Sequence, residues 1–236
     1  MQNHKVVLQE EWLAARKALL AKEKEFTRAR DRLSAERREM PWVRVEKDYV
    51  FQDTSGPVSL SELFGDCSQL ITYHFMFGPD WEQPCMSCSY ISDSFNGTDA
   101  HLKARDIAFV AVSRAPVDRL KAFADRMGWT FRWISSEGTN FNRDFNVSFT
   151  QEELDSGEVY YNYGPTTFPA TEAPGISVFA KDETGAVFHT YSSYARGLDL
   201  LIGAYNYIDL VPKGRDEADL PWTMAWIRYH DSYDEV

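Results

Sequence analysis

The chain has 236 residues, of which 44% are hydrophobic and 14% aromatic, with a formal net charge of −11. That length suits one α/β body with added arms, packed largely by big rings, and the negative charge argues against nucleic acid or an anionic membrane as the main partner. The opening Met1-Gln2-Asn3-His4-Lys5 leads into no long apolar run, so neither a signal peptide nor a membrane span is expected and the chain reads as cytoplasmic.

Gln9 to Glu39 carries no Gly or Pro and predicts one long helix. Trp12, Leu19, Phe26, Leu33 and Met40 recur at seven-residue spacing, while Ala15, Lys22, Ala29 and Glu36 leave the second heptad position half filled. The stripe is narrow, and it suits either a helix lying across the body or an arm exchanged within a homodimer. Pro41 ends it. Residues 42–45 and 49–51 read as a strand pair, and 58–65 as a short helix capped by Ser59 or Ser61 and stopped by Gly65. Residues 70–77, Leu-Ile-Thr-Tyr-His-Phe-Met-Phe, form a buried strand broken by Gly78-Pro79-Asp80. After the cysteine pair described below, a helix carries Tyr90, Ile91 and Phe95, and a second runs from His101 to Arg105. Residues 107–113 are apolar almost throughout, as in a strand covered on both faces. A helix follows over 117–127, capped by Gly128, and then a strand over 131–134. Residues 138–174 read as a long insertion with a short hairpin, rich in aromatics and able to roof a site. Strands 175–180 and 186–191 form a hairpin, a helix covers 198–207, and Pro212 opens a tail bearing Trp222, Trp226, Tyr229 and Tyr233, which docks on the body or on a partner subunit. The domain reading is thus an arm over 1–40, a body over 41–211 and a tail over 212–236.

The chemistry concentrates in Trp81-Glu82-Gln83-Pro84-Cys85-Met86-Ser87-Cys88, where a strand hands over to a helix. A thiol at a helix start faces unpaired N–H groups and the positive end of the helix dipole, and both favour the reactive thiolate. Cys85 is then the attacking thiol and Cys88 the resolving one. The third cysteine, Cys67, reads as a packing residue, and an odd count does not suggest a disulfide framework. Zinc would need four ligands, and the remaining cysteine and five histidines offer no second paired spacing, so no metal and no cofactor is expected.

The order of strand, Cys-x-x-Cys helix, strand, helix, proline, antiparallel hairpin and closing helix resembles the thioredoxin fold. The segments 73–79 and 84–89, Gly128-Trp129, Pro41-Trp42, 111–116 and 226–231 resemble, over nearly the whole chain, a bacterial thioredoxin-like family of unknown function with relatives of the alkyl hydroperoxide reductase type. The resemblance implies a three-layer α/β fold with a central mixed sheet. It implies a redox role only by analogy. Pro174 stands where thioredoxins carry a cis-proline facing the active cysteine. This chain departs from thioredoxins in placing Met86-Ser87 between the cysteines and His74 where they carry a buried acid. Glu82, three residues before Cys85, replaces the Thr or Ser of peroxiredoxins and disfavours a peroxidase of that type.

Supporting roles then fall to a few residues, each with a plainer alternative. His74 serves as a proton shuttle to Cys88 or as a hydrogen-bonded core residue. Trp81 walls the site or joins the core. Arg114, at a strand's C-terminal end, lies where open α/β sheets keep their sites, or is a surface arginine. Pro84 and Pro174 shape the approach to Cys85. Two functions follow: a dithiol oxidoreductase acting on a protein or small-molecule disulfide, or a non-catalytic binding protein on the same fold.

Overall fold

The computed structural model describes residues 4–233, and the chain divides into two compact units, Met1–Pro41 and Trp42–Val236. The first is built on helix α1 (Gln9–Arg38), 30 residues and so roughly 45 Å long at 1.5 Å per residue. Glu10 and Glu11 in its first turn and Arg37 and Arg38 in its last complement the helix dipole. None of its residues is buried, and Trp12, Leu19, Phe26 and Leu33 are exposed along the seven-residue stripe. No helix among the described residues is long and apolar enough to cross a membrane.

The second unit is organised by an eight-stranded mixed sheet. Its strands are β1 (Val43–Arg44), β2 (Val50–Asp53), β3 (Gly56–Ser59), β4 (Gln69–His74), β5 (Ile107–Ser113), β6 (Arg132–Ser135), β9 (Gly175–Lys181) and β10 (Val187–Tyr194), with β7 (Val159–Tyr161) and β8 (Gly164–Thr166) forming a separate hairpin. The spatial order is β1-β10-β9-β4-β5-β6-β2-β3. β4, β5 and β6 are parallel, and β9 returns antiparallel against β4. This is a thioredoxin-like α/β fold. Side-chain alternation along β4 and β5 divides the core. Tyr73 and Ala111 join Phe75, Cys88, Phe123, Trp129 and Trp133 on one face, whereas Leu70, Val110 and Val112 join Phe51, Phe64, Phe141 and Phe179 on the other.

The helices are α2 (Met86–Ser92), α3 (Asp99–Lys103), α4 (Val117–Met127), α5 (Phe141–Asp144), α6 (Gln151–Asp155) and α7 (Gly203–Ile208). α4 ends as expected at Gly128, whose φ of 63° suits glycine. The expected 198–207 helix is split by Ile202, with a 3₁₀ segment at Ala195–Leu201 before it and α7 after it. The Gly203 amide there donates to Ser94 Oγ at 2.9 Å.

Two expectations at the sheet edges need correction. β1 and β2 are not partners: β1 pairs with β10, while β2 pairs with β3 and β6 at the opposite edge. The cause is a tight hairpin whose Gly56 has φ 113°, a conformation open to glycine. That hairpin also takes Val58 and Ser59 into a strand where a helix was expected. Ser59 still caps, exchanging bonds with Glu62 (Ser59 N to Glu62 Oε2 2.7 Å, Glu62 N to Ser59 Oγ 3.3 Å), but only one 3₁₀ turn, Glu62–Phe64, precedes Gly65.

The 138–174 insertion holds α5, α6 and the β7–β8 hairpin around a small core of Val147, Phe149, Tyr161 and Tyr194. Arg114, just after β5, ties it to the sheet. Its guanidinium donates to Ser148 Oγ and to Glu172 Oε1, both at 2.9 Å. Glu172 is 1% exposed; burial pushes its carboxyl above the ordinary range, against the pull of Arg114 and Ser148. An acid with a raised folded-state pKa takes up protons on folding, so its contribution to stability falls as pH rises through that range. Removing the guanidinium sharpens this effect. Arg114→Ala should therefore cost about 3 kcal/mol at pH 7 and clearly less near pH 5, where Glu172 can neutralise itself. Glu172→Gln, which keeps a hydrogen-bonding group and removes the buried charge, should stay within about 1 kcal/mol. Urea unfolding of both variants at the two pH values checks the sign and the order.

Candidate active site

The loop that carries the cysteine pair is fixed before the helix starts. Beyond β4 the chain stays beside the sheet, with Phe75 N donating to Val112 O at 2.9 Å and Ala115 N to Phe77 O at 2.8 Å. At Gly78 an added Cβ would stand 2.8 Å from the Trp81 ring, so the residue must be glycine for that ring to close over it. Arg119 of α4 then clasps the loop. It donates to the carbonyls of Pro79 (3.0 Å), Glu82 (3.2 Å) and Trp81, and its guanidinium lies 4.8 Å over the Phe77 ring. Cys85 N donates to Met76 O at 3.1 Å, and the Tyr229 hydroxyl of the tail donates to Pro84 O at 2.6 Å.

Cys85 caps α2 with an extended backbone, φ −64° and ψ 125°. That conformation turns its sulfur back over the first turn, where the Cys88 amide donates to Sγ at 3.4 Å. Both cysteines are free thiols, Cys85 half-buried and Cys88 buried at 1% exposure. Their acidities separate. The Cys85 thiol is pulled down by the hydrogen bond from the Cys88 thiol, with the Cys88 and Ser87 amides adding to it and burial opposing. Cys88 is pushed well up, by burial first and then by Cys85. Cys85 is thus the more acidic thiol of the pair and Cys88 the less acidic, a difference set by their positions at the helix start.

Tyr73 completes the pair. Its side chain is wholly buried, and its hydroxyl lies near the Cys88 thiol without a well-formed hydrogen bond among the described residues. Of the two places open to His74, proton shuttle or hydrogen-bonded core residue, the structure shows the second, and the side chain beside Cys88 is that of Tyr73, one residue earlier. Alternation sends His74 to the other face of the sheet, where Nε2 bonds Ser177 Oγ at 2.8 Å and the ring stacks near Phe145. Burial there drops its pKa to about 3, so it stays neutral. Period-two alternation from Leu70 is the signal that separates the two residues.

The sulfurs open on a cavity of about 510 Å³ that also touches Pro174, Leu198, Ile202, Arg215, Glu217 and Met224. The insertion reaches this wall through Tyr161, whose hydroxyl donates to Pro174 O at 2.7 Å and accepts from Ala195 N at 2.9 Å. The Pro174 peptide bond is trans, unlike the proline of thioredoxins. Arg114 and Trp81 do not line this cavity: Arg114 is engaged by Glu172, and Trp81 packs over the loop. Cys67 packs against the core of the opposite sheet face. Among the described residues no group of three or more His, Cys, Asp or Glu side chains is placed to hold a metal ion. No short motif marks Arg119, Tyr73 or Glu217; each meets the site only through tertiary packing.

A cysteine pair at the start of the helix that follows the central parallel strand makes this a thioredoxin-like protein. The chain belongs to the bacterial proteins of unknown function designated DUF899, whose family model matches residues 1–233. No curated protein sequence matches it. Solved structures similar to it include the peroxidoxin BcpB from Mycobacterium tuberculosis, at 15% identity and TM-score 0.45, covering 72% of this chain and 97% of that one. Another is a cysteine-to-serine mutant of PrxQ from Xylella fastidiosa, at 12% identity and TM-score 0.46, covering 70% and 94%.

Because the Cys88 thiol is the largest influence lowering Cys85, Cys88→Ala should raise the midpoint of Cys85 alkylation against pH, and Cys88→Ser, which keeps a donor, should raise it less. Tyr73→Phe should leave that midpoint nearly unchanged while raising the pKa of Cys88 further. Mass-mapped alkylation across pH 5–10 reads the Cys85 midpoint in each variant, and extending it to more alkaline pH follows Cys88.

Proposed function

We propose that the protein is a thiol–disulfide oxidoreductase. The observation that carries this reading is the pair itself: a half-buried Cys85 sulfur holding the Cys88 amide at 3.4 Å, with the buried Cys88 thiol beneath it and a cavity in front. The Cys85 thiolate attacks one sulfur of a substrate disulfide, forming a mixed disulfide and releasing the other half as a thiolate. Cys88 gives up its proton and attacks Cys85 Sγ, which releases the second thiol and leaves a Cys85–Cys88 disulfide. The substrate is reduced by two electrons and the pair oxidised by two. An external dithiol reductant restores the pair, as the thiol pool of the cytoplasm supplies. Tyr73 positions Cys88 and steadies its charge as it attacks. Pro84 and Pro174 fix the loop and the wall on either side of Cys85.

The second reading, a binding protein whose cysteines do no chemistry, is favoured by the cavity alone. Turnover decides between them. Reduction of insulin or of a small disulfide with a dithiol as reductant should proceed and fall at least about 10³-fold in Cys85→Ser. Cys88→Ser should stop turnover but accumulate a mixed disulfide on Cys85, visible by mass. Absence of turnover with an unperturbed Cys85 pKa would leave the binding reading.

We also propose that α1 pairs with α1 of a second copy, since Trp12, Leu19, Phe26 and Leu33 form an exposed seven-residue stripe. Light scattering on the full chain should give a dimer mass, and Leu19→Glu with Phe26→Glu should give a monomer that still turns over.

A further inference from the structure

The cavity in front of Cys85 carries more information than its presence. Resting on the oxidoreductase reading, it also says what kind of disulfide fits. At about 510 Å³ it has the capacity of a small-molecule site. Ile91, Leu198, Ile202 and Met224 give it an apolar wall. Its charged residues are unevenly matched, with Arg196 and Arg215 against Asp199, Asp209 and Glu217.

Both arginines are already engaged. Arg215 grips Asp209 through two bonds, at 2.9 and 2.8 Å, and donates to Asp199 at 3.1 Å, while its guanidinium lies 3.8 Å over the Tyr205 ring. Arg196 pairs with Asp199 at 3.0 Å. The pattern leaves one carboxylate in excess. Glu217 is that carboxylate, and its two oxygens differ. Oε1 accepts from Tyr205 Oη at 2.6 Å, Trp226 Nε1 at 2.6 Å and Met224 N at 3.1 Å, whereas Oε2 takes no hydrogen bond among the described residues. Burial alone would raise this carboxyl, but those three donors, with the nearby Arg215 guanidinium adding its charge, outweigh it and hold it below the ordinary range, so it is ionised at neutral pH. A fixed, charged acceptor with a spare oxygen selects a positive or hydrogen-bond-donating group and rejects an anion.

We propose that the Cys85 cavity binds a small organic disulfide with an apolar body and an ammonium end, the ammonium meeting Glu217. The test uses three aryl disulfides that differ only in the para substituent: aminomethyl, hydroxymethyl or carboxymethyl. Each is mixed with the Cys88→Ser protein, which holds the mixed disulfide on Cys85, and adduct formation is followed by intact mass, with each rate divided by that for a free alkyl thiol. The expected order is ammonium, then hydroxyl, then carboxylate, with at least about tenfold between first and last. Glu217→Gln should collapse the ammonium probe to the rate of the hydroxyl probe. Equal rates, or a preference for the carboxylate, overturn the assignment while leaving the redox reading in place.

A non-covalent arm separates the two claims. Calorimetry of the Cys85→Ser protein with 4-(methylthio)benzylamine, a probe that cannot exchange, should show binding that weakens at least about tenfold in the Glu217→Gln double variant. Binding that depends on Glu217, without any adduct on Cys85, would support the cavity assignment and sink the redox one. No binding of the amine by a folded Cys85→Ser protein overturns the assignment whatever the thiol does. Should Glu217→Gln disturb the tail, the charge series on protein with Glu217 intact decides the matter alone.

Discussion

One contact, from the Cys88 amide to the Cys85 sulfur, sets the demands that the rest of the second unit meets. A helix's first amides have no partner within the helix, and here a sulfur takes one of them. It can do so only while Cys85 holds an extended backbone directly before the first turn. A free loop would not keep that geometry. This one is gripped by Arg119 at three carbonyls, hydrogen-bonded to Met76, and held from outside by Tyr229.

The groups that do the gripping come from distant parts of the chain. Arg119 lies on the helix after β5, Tyr229 in the tail, and Tyr161 in the insertion that positions Pro174. The tail closes over the body through aromatic contacts, Trp226 on Tyr90 and Tyr229 on Phe123, and through the Arg126–Asp231 pair. These late segments are therefore part of the site's frame. The acidic balance of the chain also has a local counterpart, since the guanidiniums beside the cavity are paired with Asp199 and Asp209 and Glu217 adds a further carboxylate to the lining.

The central sheet explains why one residue's difference along β4 matters. A parallel strand covered on both faces gives each neighbouring side chain a different core. Tyr73 meets Cys88, and His74 meets Phe145 and Ser177. A hydroxyl that stays protonated thus lies beside the buried thiol, while the histidine is held neutral by burial on the other face. The two cysteines differ in acidity for the same reason: one ends the loop and collects donors, the other sits under the first turn and loses water.

The sequence by itself determined the long helix with its stripe, the buried strand over 107–113 and the one that begins near Leu70, though that one ends at His74 rather than Phe77, the Gly128 cap, the paired cysteines and the thioredoxin-like order of elements. Each of these is written in local periodicity, in turn residues or in short spacing, which act over a few residues. Only the tertiary structure decided that residues 43–44 and 50–53 occupy opposite edges of the sheet, because strand partners depend on which backbone is nearest rather than on which comes next. It also decided the places of Tyr73, Arg119 and Glu217 around the sulfurs. Their side chains are ordinary in type, and they acquire a role only when segments up to about 150 residues apart are packed into one low-dielectric pocket, where a single hydrogen bond or charge is no longer diluted by water.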